Sequence, residues 1–107
     1  MVTLQQYQQL VALQMSEKEW QDQVIKLATR LGWMCYHTWN SQHSAKGFPD
    51  TVMIRRNRLI VAELKSEKGT LTLPQTLWLE AFRSCNIETY VWRPRDVDEV
   101  ISILSKD

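Results

Sequence analysis

Two short apolar runs separated by a polar turn constrain the fold of this 107-residue chain more than any other feature. Thr51–Ile54 and Leu59–Leu64 are rich in β-branched residues, and Arg55–Arg58 lies between them. This pattern predicts a tight β-hairpin. A hairpin reverses the chain, so the residue before its first strand lies beside the residues that end its second strand. The sequence therefore predicts that Asp50 and Glu63 meet at one end of a sheet.

Glu63 is the hairpin residue that packing alone does not explain. It stands inside an otherwise apolar strand, where a carboxylate is costly unless it is paired or bound to a cation. Strand alternation puts Glu63 and Lys65 on one face of the sheet, so an ion pair of Glu63 with Lys65 or Lys46 is one explanation. A metal site is the other, because Asp50, Glu63 and the backbone carbonyl of Leu64 supply the oxygen ligands that hard divalent ions prefer.

An acid–acid–lysine set of this kind has a specific chemical use. A divalent metal such as Mg²⁺ lowers the pKa of bound water and neutralises the charge that builds up on a phosphate. A neighbouring lysine can hold or deprotonate the attacking water and contact the scissile phosphate. The motif therefore indicates a metal-dependent nuclease in which Asp50, Glu63 and Lys65 are catalytic.

The remaining segments predict helices and further strands around the hairpin. Ser16 and Glu19 match a helix capping box, and apolar residues recur behind them at helical spacing until Gly32. The order of elements predicts a helical arm over residues 1–15 and one α/β domain over 16–107, with a sheet of about four strands flanked by helices. The expected elements are an N-terminal helix within 1–14, a helix over about 17–31, a strand from Trp33 to Trp39, a loop from Asn40 to Phe48, a helix from Pro74 to near Cys85, a strand from Ile87 to Trp92 and a last helix from Pro94 or Asp96.

The distribution of charge is more informative than its sum, since the formal net charge is only +1. Six basic and three acidic residues lie between Lys46 and Lys68. We interpret this as a weakly basic rim around an acidic metal pocket, although the arginines at 55, 56 and 58 are equally typical of a solvated turn. The candidate nucleic-acid contacts are Lys46, Gly47, His37, Arg55, Arg56 and Lys68.

Four of the candidate residues have two interpretations each. Glu19 either completes the capping box with Ser16 or faces the metal, directly or through water. Gln75 either binds phosphate or orients a site carboxylate, or it is an ordinary exposed residue of a first helical turn. Gly47 either allows a DNA backbone to approach or satisfies turn geometry. His37 either faces the cleft or is a structural histidine.

Cysteine and histidine spacing indicates no second metal site. Cys35 and Cys85 are isolated, which is typical of buried free thiols in a reducing compartment. His37 and His43 lack the paired spacing of zinc ligands. No apolar run is long enough to cross a membrane, and we expect a cytoplasmic protein of a bacterial cell, or one encoded by a phage.

The motifs, taken together and in order, resemble those of the PD-(D/E)xK nuclease superfamily. The residues that carry the resemblance are Glu19, Gly47-Phe48-Pro49-Asp50, Glu63-Leu64-Lys65 and Gln75. More closely, the chain looks like a stand-alone VRR-NUC domain of the kind encoded by phages and bacteria. That similarity spans roughly residues 16–104 and leaves out the Gln-rich arm. It includes Lys46 to Asp50, Ala62 to Glu67 and Tyr90 to Pro94.

The resemblance implies a fold, a cofactor and a substrate. It implies a restriction-endonuclease-like αβββαβ core with a mixed sheet, and phosphodiester hydrolysis that depends on Mg²⁺ or Mn²⁺. Asp50, Glu63, the Leu64 carbonyl and Glu19 would bind the metal, Lys65 would be catalytic, and Gln75 would support the site. Small members look like homodimers that resolve four-way (Holliday) junctions, and a two-fold dimer suits a junction because it presents two symmetric active sites. A monomeric nuclease for flap or duplex ends and a non-catalytic DNA-binding module are the alternatives.

Overall fold

The computed structural model describes residues 1–38 and 45–107. The predicted end of the first strand at Trp39, and positions 40–44 of the predicted loop, lie outside the described residues. Within them, four α-helices and four strands follow the predicted order, and a short 3-10 helix, Pro94–Asp96, precedes the last helix. The elements are α1 (Leu4–Gln14), α2 (Glu17–Arg30), β1 (Met34–His37), β2 (Thr51–Arg55), β3 (Arg58–Leu64), α3 (Leu73–Ser84), β4 (Glu88–Trp92) and α4 (Val97–Ser105).

Capping boxes set the starts of α1, α2 and α3. In α2 the Ser16 hydroxyl accepts a hydrogen bond from the backbone N–H of Glu19, whose carboxylate accepts one from the N–H of Ser16. Gly32 follows the end of α2 with a φ of +91°, a conformation that glycine adopts at little cost. In α3 a similar box lets the helix begin at Leu73, one residue before the predicted Pro74.

The sheet is mixed, with the strand order β1-β2-β3-β4. β2 pairs with β1 and β3 in antiparallel fashion, and β4 runs parallel to β3. The β2–β3 turn needs only two residues, Arg56 and Asn57, whose φ angles of 48° and 67° suit the right-handed twist of a two-residue hairpin. A parallel pair requires a crossover, and α3 supplies it between β3 and β4. The predicted α/β, restriction-endonuclease-like architecture is confirmed.

The main core lies between α2, α4 and one face of the sheet. Trp20, Val24 and Ala28 from α2 pack there with sheet residues such as Ile60 and Ala62. Strand alternation sends the intervening Val61 and Glu63 to the opposite face. Helix α3 lies on that opposite face, since its Gln75 contacts Glu63. Glu63 therefore lies under α3 and away from the large core.

Helix α1 contributes little to the core. None of its residues is buried, and Leu4, Tyr7, Leu10 and Leu13 are each about half exposed or more. A groove of about 480 Å³ separates α1 from the domain and is lined in part by Trp20. No helix among residues 1–38 and 45–107 has the length and apolar character needed to span a membrane.

Candidate active site

The hairpin brings the two motif acids together, as predicted. Thr51 pairs with Ala62 across β2 and β3, so the next positions outward are Asp50 and Glu63. The Oδ2 atom of Asp50 accepts a hydrogen bond of 3.0 Å from the backbone N–H of Leu64. This bond holds the Asp50 carboxylate at the end of β3 through one of its two oxygens.

The Glu63 carboxylate is buried, with only 1% of the residue exposed to solvent. Its Oε1 atom accepts a hydrogen bond of 3.4 Å from the Gln75 side-chain amide, whereas its Oε2 atom is buried with no hydrogen-bond donor among the described residues. Burial, followed by contact with the Asp50 carboxyl, raises the pKa of Glu63 to about 9, although Lys65 acts in the opposite direction. An ionised Glu63 therefore needs a cation at Oε2.

Lys65 directly follows β3, and its side chain lies near a carboxylate that was not predicted from the sequence to belong to the site. Its Nζ atom lies 3.8 Å from Oε1 of Glu17, the first residue of α2. Burial raises the pKa of Glu17, and the Asp50 charge adds to this effect while Lys65 lowers it. Glu17, Lys65, Asp50 and Glu63 thus form one electrostatic cluster, which we call the carboxylate site.

The structure does not bring Glu19 into the carboxylate site. The Glu19 carboxylate accepts the Ser16 N–H at 3.0 Å, and this hydrogen bond lowers its pKa. The capping interpretation of Glu19 is therefore correct, and its predicted metal role is not supported by these contacts. The sequence held a signal for Glu17, because positions 17, 20 and 24 follow helical spacing and Trp20 and Val24 are buried. Glu17 thus continues the buried stripe of α2, and Glu19 does not.

The donor set fits a hard divalent cation. Glu63 offers Oε2 and Asp50 offers the oxygen that Leu64 does not occupy. The Leu64 carbonyl points the same way as its N–H, because both groups of a strand residue face the same neighbouring strand. Within the described ranges 1–38 and 45–107, no group of three or more His, Cys, Asp and Glu side chains is placed to hold a metal ion by itself. Two carboxylates with a carbonyl suit Mg²⁺, which keeps several waters and binds phosphate oxygens.

The segment that leads into Asp50 is held against α3. The indole N–H of Trp78 donates a hydrogen bond of 3.1 Å to the carbonyl of Lys46, and the Phe48 and Trp78 rings lie edge to face at 5.0 Å. Gly47 has a φ of +84°, and a Cβ atom there would lie 2.5 Å from the Pro74 backbone. Gly47 is therefore required by turn geometry and by the close approach of α3, the first of which was predicted.

The proposed basic rim is only partly present around the carboxylate site. Lys46 and Lys68 are exposed in the loops before Asp50 and after Lys65, and His37 pairs with Thr51 at the same end of the sheet. Arg55 and Arg56 lie at the turn, the opposite end of the hairpin.

The five-residue strand β2 runs from Asp50 to these arginines, and Arg55 is its last residue, so they lie roughly 16 Å from Asp50. Arg55 donates to the carbonyl of Leu31 at 2.8 Å and lies over the Trp33 ring, and Arg56 pairs with Asp107. The prediction that these two arginines surround the metal pocket is therefore wrong. Arg55 and Arg56 instead connect the β2–β3 turn to Leu31 and to Asp107.

One carbonyl joins the site to the core. The backbone oxygen of Trp92, the last residue of β4, accepts hydrogen bonds from the N–H of Lys65 at 3.0 Å and from the indole of Trp20 at 2.9 Å. Both donors are buried. The backbone that carries Lys65 is thus fixed by the centre of the core.

Comparison with known proteins agrees with this geometry. The VRR-NUC domain family model matches residues 2–96, which includes α1 and stops before α4. The match therefore begins within the arm that the motif resemblance left out. No curated protein and no solved structure matches the chain. Since the family match covers nearly the whole sequence, the chain belongs to the VRR-NUC family and is a nuclease domain.

Proposed function

We propose that this chain is a divalent-metal-dependent DNA endonuclease that acts on branched DNA as a homodimer. The observation that carries the proposal is the buried Glu63 carboxylate beside Asp50, with the buried Lys65 directly after the end of the same strand. The chain belongs to a nuclease family, which supports DNA as its substrate.

Electrostatics supports the metal. When all four groups of the carboxylate site are ionised, Asp50, Glu63 and Glu17 place three negative charges beside the single positive charge of Lys65. A DNA phosphate would be repelled from that excess. A divalent cation on Asp50 and Glu63 would cancel it, and would also polarise the phosphate and lower the pKa of bound water.

The side chains divide the remaining work. Asp50 is oriented by the Leu64 N–H and Glu63 by the Gln75 amide, so neither carboxylate has to reorganise when phosphate enters. Lys65 would hold the attacking water in line with the scissile bond and stabilise charge on the non-bridging oxygens. The Glu17 carboxylate pairs with the Lys65 ammonium and would keep it in this position.

Helix α1 supports self-association. It contains no Asp, Glu, Lys or Arg, and its Leu4, Tyr7, Leu10 and Leu13 side chains are exposed. An uncharged surface releases no counterions from DNA phosphates, but it can pack against its own copy across a two-fold axis without repulsion. Two copies related in this way would present two carboxylate sites to the two equivalent strands of a four-way junction.

The test is cleavage of a labelled four-way junction, a flap and a plain duplex in Mg²⁺ or Mn²⁺, with the molar mass measured by light scattering. The proposal expects paired nicks in the junction, a dimeric mass, and loss of cleavage in Asp50→Ala and Lys65→Ala with the fold retained. Glu80→Gln, an exposed acid on α3, is the matched control and should cleave normally. Full activity of Lys65→Ala would refute the mechanism, and a monomer that prefers flaps would refute the substrate.

A further inference from the structure

The side-chain amide of Gln75 makes two hydrogen bonds of opposite polarity. Its Oε1 atom accepts the backbone N–H of Thr72 at 2.9 Å, and its Nε2 atom donates to Oε1 of Glu63 at 3.4 Å. The first bond belongs to the capping box of α3, in which the Thr72 hydroxyl accepts the N–H of Gln75 at 3.3 Å. One side chain therefore connects the start of α3 to the carboxylate site.

The Thr72 N–H determines which way the amide points. A backbone N–H can only donate, so the Gln75 atom that faces it has to be the carbonyl oxygen. The NH₂ group must then face Glu63. Without this constraint a Gln amide could turn its oxygen towards the carboxylate, where two acceptors would repel each other.

Gly47 allows the start of α3 to lie close to the segment that leads into Asp50. A Cβ atom on Gly47 would lie 2.6 Å from the Pro74 Cβ and 2.7 Å from the Gln75 backbone nitrogen. Backbone atoms at the start of a helix cannot rotate away from such a contact. Any larger residue at position 47 would displace the first turn of α3, which carries Gln75.

We propose that Thr72 and Gly47 are positioning residues that act through Gln75 to make Glu63 bind its metal through Oε2 alone. Gln75 occupies Oε1, while Oε2 is buried without a donor in the described part of the chain. Helix capping and ligand orientation are thus performed by one amide. This inference rests on the metal site proposed above, but the amide orientation can be measured in protein without metal.

Two variants of Thr72 separate the N–H from the hydroxyl. Thr72→Ala removes the hydroxyl and keeps the N–H, whereas Thr72→Pro removes both. The Thr72 φ of −81° and ψ of 164° suit proline. Titration with Mn²⁺ alone, followed by calorimetry, should show near wild-type affinity for Thr72→Ala and about three- to tenfold weaker binding for Thr72→Pro, the cost of losing the one uncharged hydrogen bond that orients the Gln75 amide. Equal affinities for the two variants would overturn the proposal.

Nuclear magnetic resonance of the metal-free protein supplies the second readout. The Gln75 NH₂ protons should show Overhauser contacts to the Glu63 methylene protons in the wild type and in Thr72→Ala, and these contacts should fade in Thr72→Pro. Their absence from the wild type would overturn the positioning proposal even if Thr72→Pro does not fold. A wild type that shows them but binds no Mn²⁺ would instead refute the proposed metal site. Gly47→Ala should weaken both the contacts and Mn²⁺ binding, and unchanged values would remove Gly47 from the proposal.

Discussion

Glu63→Gln should make the metal-free protein more stable at neutral pH. The buried carboxyl has a pKa raised to about 9 from an ordinary value of 4.5, chiefly by burial. Between these two values the folded state binds a proton that the unfolded state has released, so the free energy of unfolding falls as the pH rises. Glutamine has the shape of the neutral acid and carries no charge at any pH.

The size of this stability difference depends on how far the pH lies above 4.5, the pKa of the carboxyl in the unfolded state. Each pH unit above 4.5 costs the wild type about 1.4 kcal/mol, so Glu63→Gln gains up to about 4 kcal/mol at pH 7.5 and almost nothing at pH 4.5. The glutamine NH₂ group can also donate to Asp50, which accepts from Leu64 on its other oxygen. Saturating Mg²⁺ should reverse the order of stability, because it binds the ionised wild-type site and adds binding free energy to the folded state.

Urea denaturation with EDTA or with Mg²⁺, repeated from pH 5 to pH 8.5, measures these differences. Glu80→Gln controls for the loss of an exposed acid and should follow the wild type. A Glu63→Gln variant that is no more stable than the wild type at pH 7.5 in EDTA would refute the burial argument. A difference in stability that does not change with pH would refute it as well.

Glu17→Gln should lower the single-turnover rate constant of cleavage by about tenfold or more, because Lys65 loses its carboxylate partner. Glu19→Gln should leave this rate constant unchanged, since glutamine also serves in a capping box, and similar losses in the two variants would contradict the assignment of Glu17 to the site. Lys68→Ala should weaken DNA binding and reduce the salt dependence of the affinity by about one phosphate contact, whereas Arg56→Ala should change neither. Fluorescence anisotropy at several salt concentrations distinguishes these two outcomes. Removal of residues 1–14 should halve the molar mass measured by light scattering, and an unchanged mass would exclude α1 as the dimer interface.

The parts of this fold that the sequence predicted well are those with local signals. Ser16 with Glu19, and the apolar runs around the Arg56–Asn57 turn, specify a helix start and a hairpin without any distant contact. The hairpin alone was sufficient to bring Asp50 beside Glu63. The capping box at Thr72 was missed because Pro74 gave a stronger signal for the helix start.

The parts that were missed depend on how distant elements pack. Glu17 and Glu19 both lie in the first turn of α2, and only the docking of that helix on the sheet decides which one reaches Lys65. The arginines beside the turn belong to the same short stretch of sequence as the site acids, yet a strand of five residues separates them in space. Residues close in sequence are not close in the fold when an extended strand lies between them.

The shared carbonyl of Trp92 has a consequence for the mobility of the active site. Because it holds both the Lys65 amide and the Trp20 indole, the active strand cannot detach without breaking a contact at the centre of the core. The Lys65 amide proton should therefore exchange with solvent only when the whole domain unfolds, among the slowest in the chain. Substrate access must then come from the loops that carry Lys46 and Lys68, while the reacting groups stay as rigid as the protein interior.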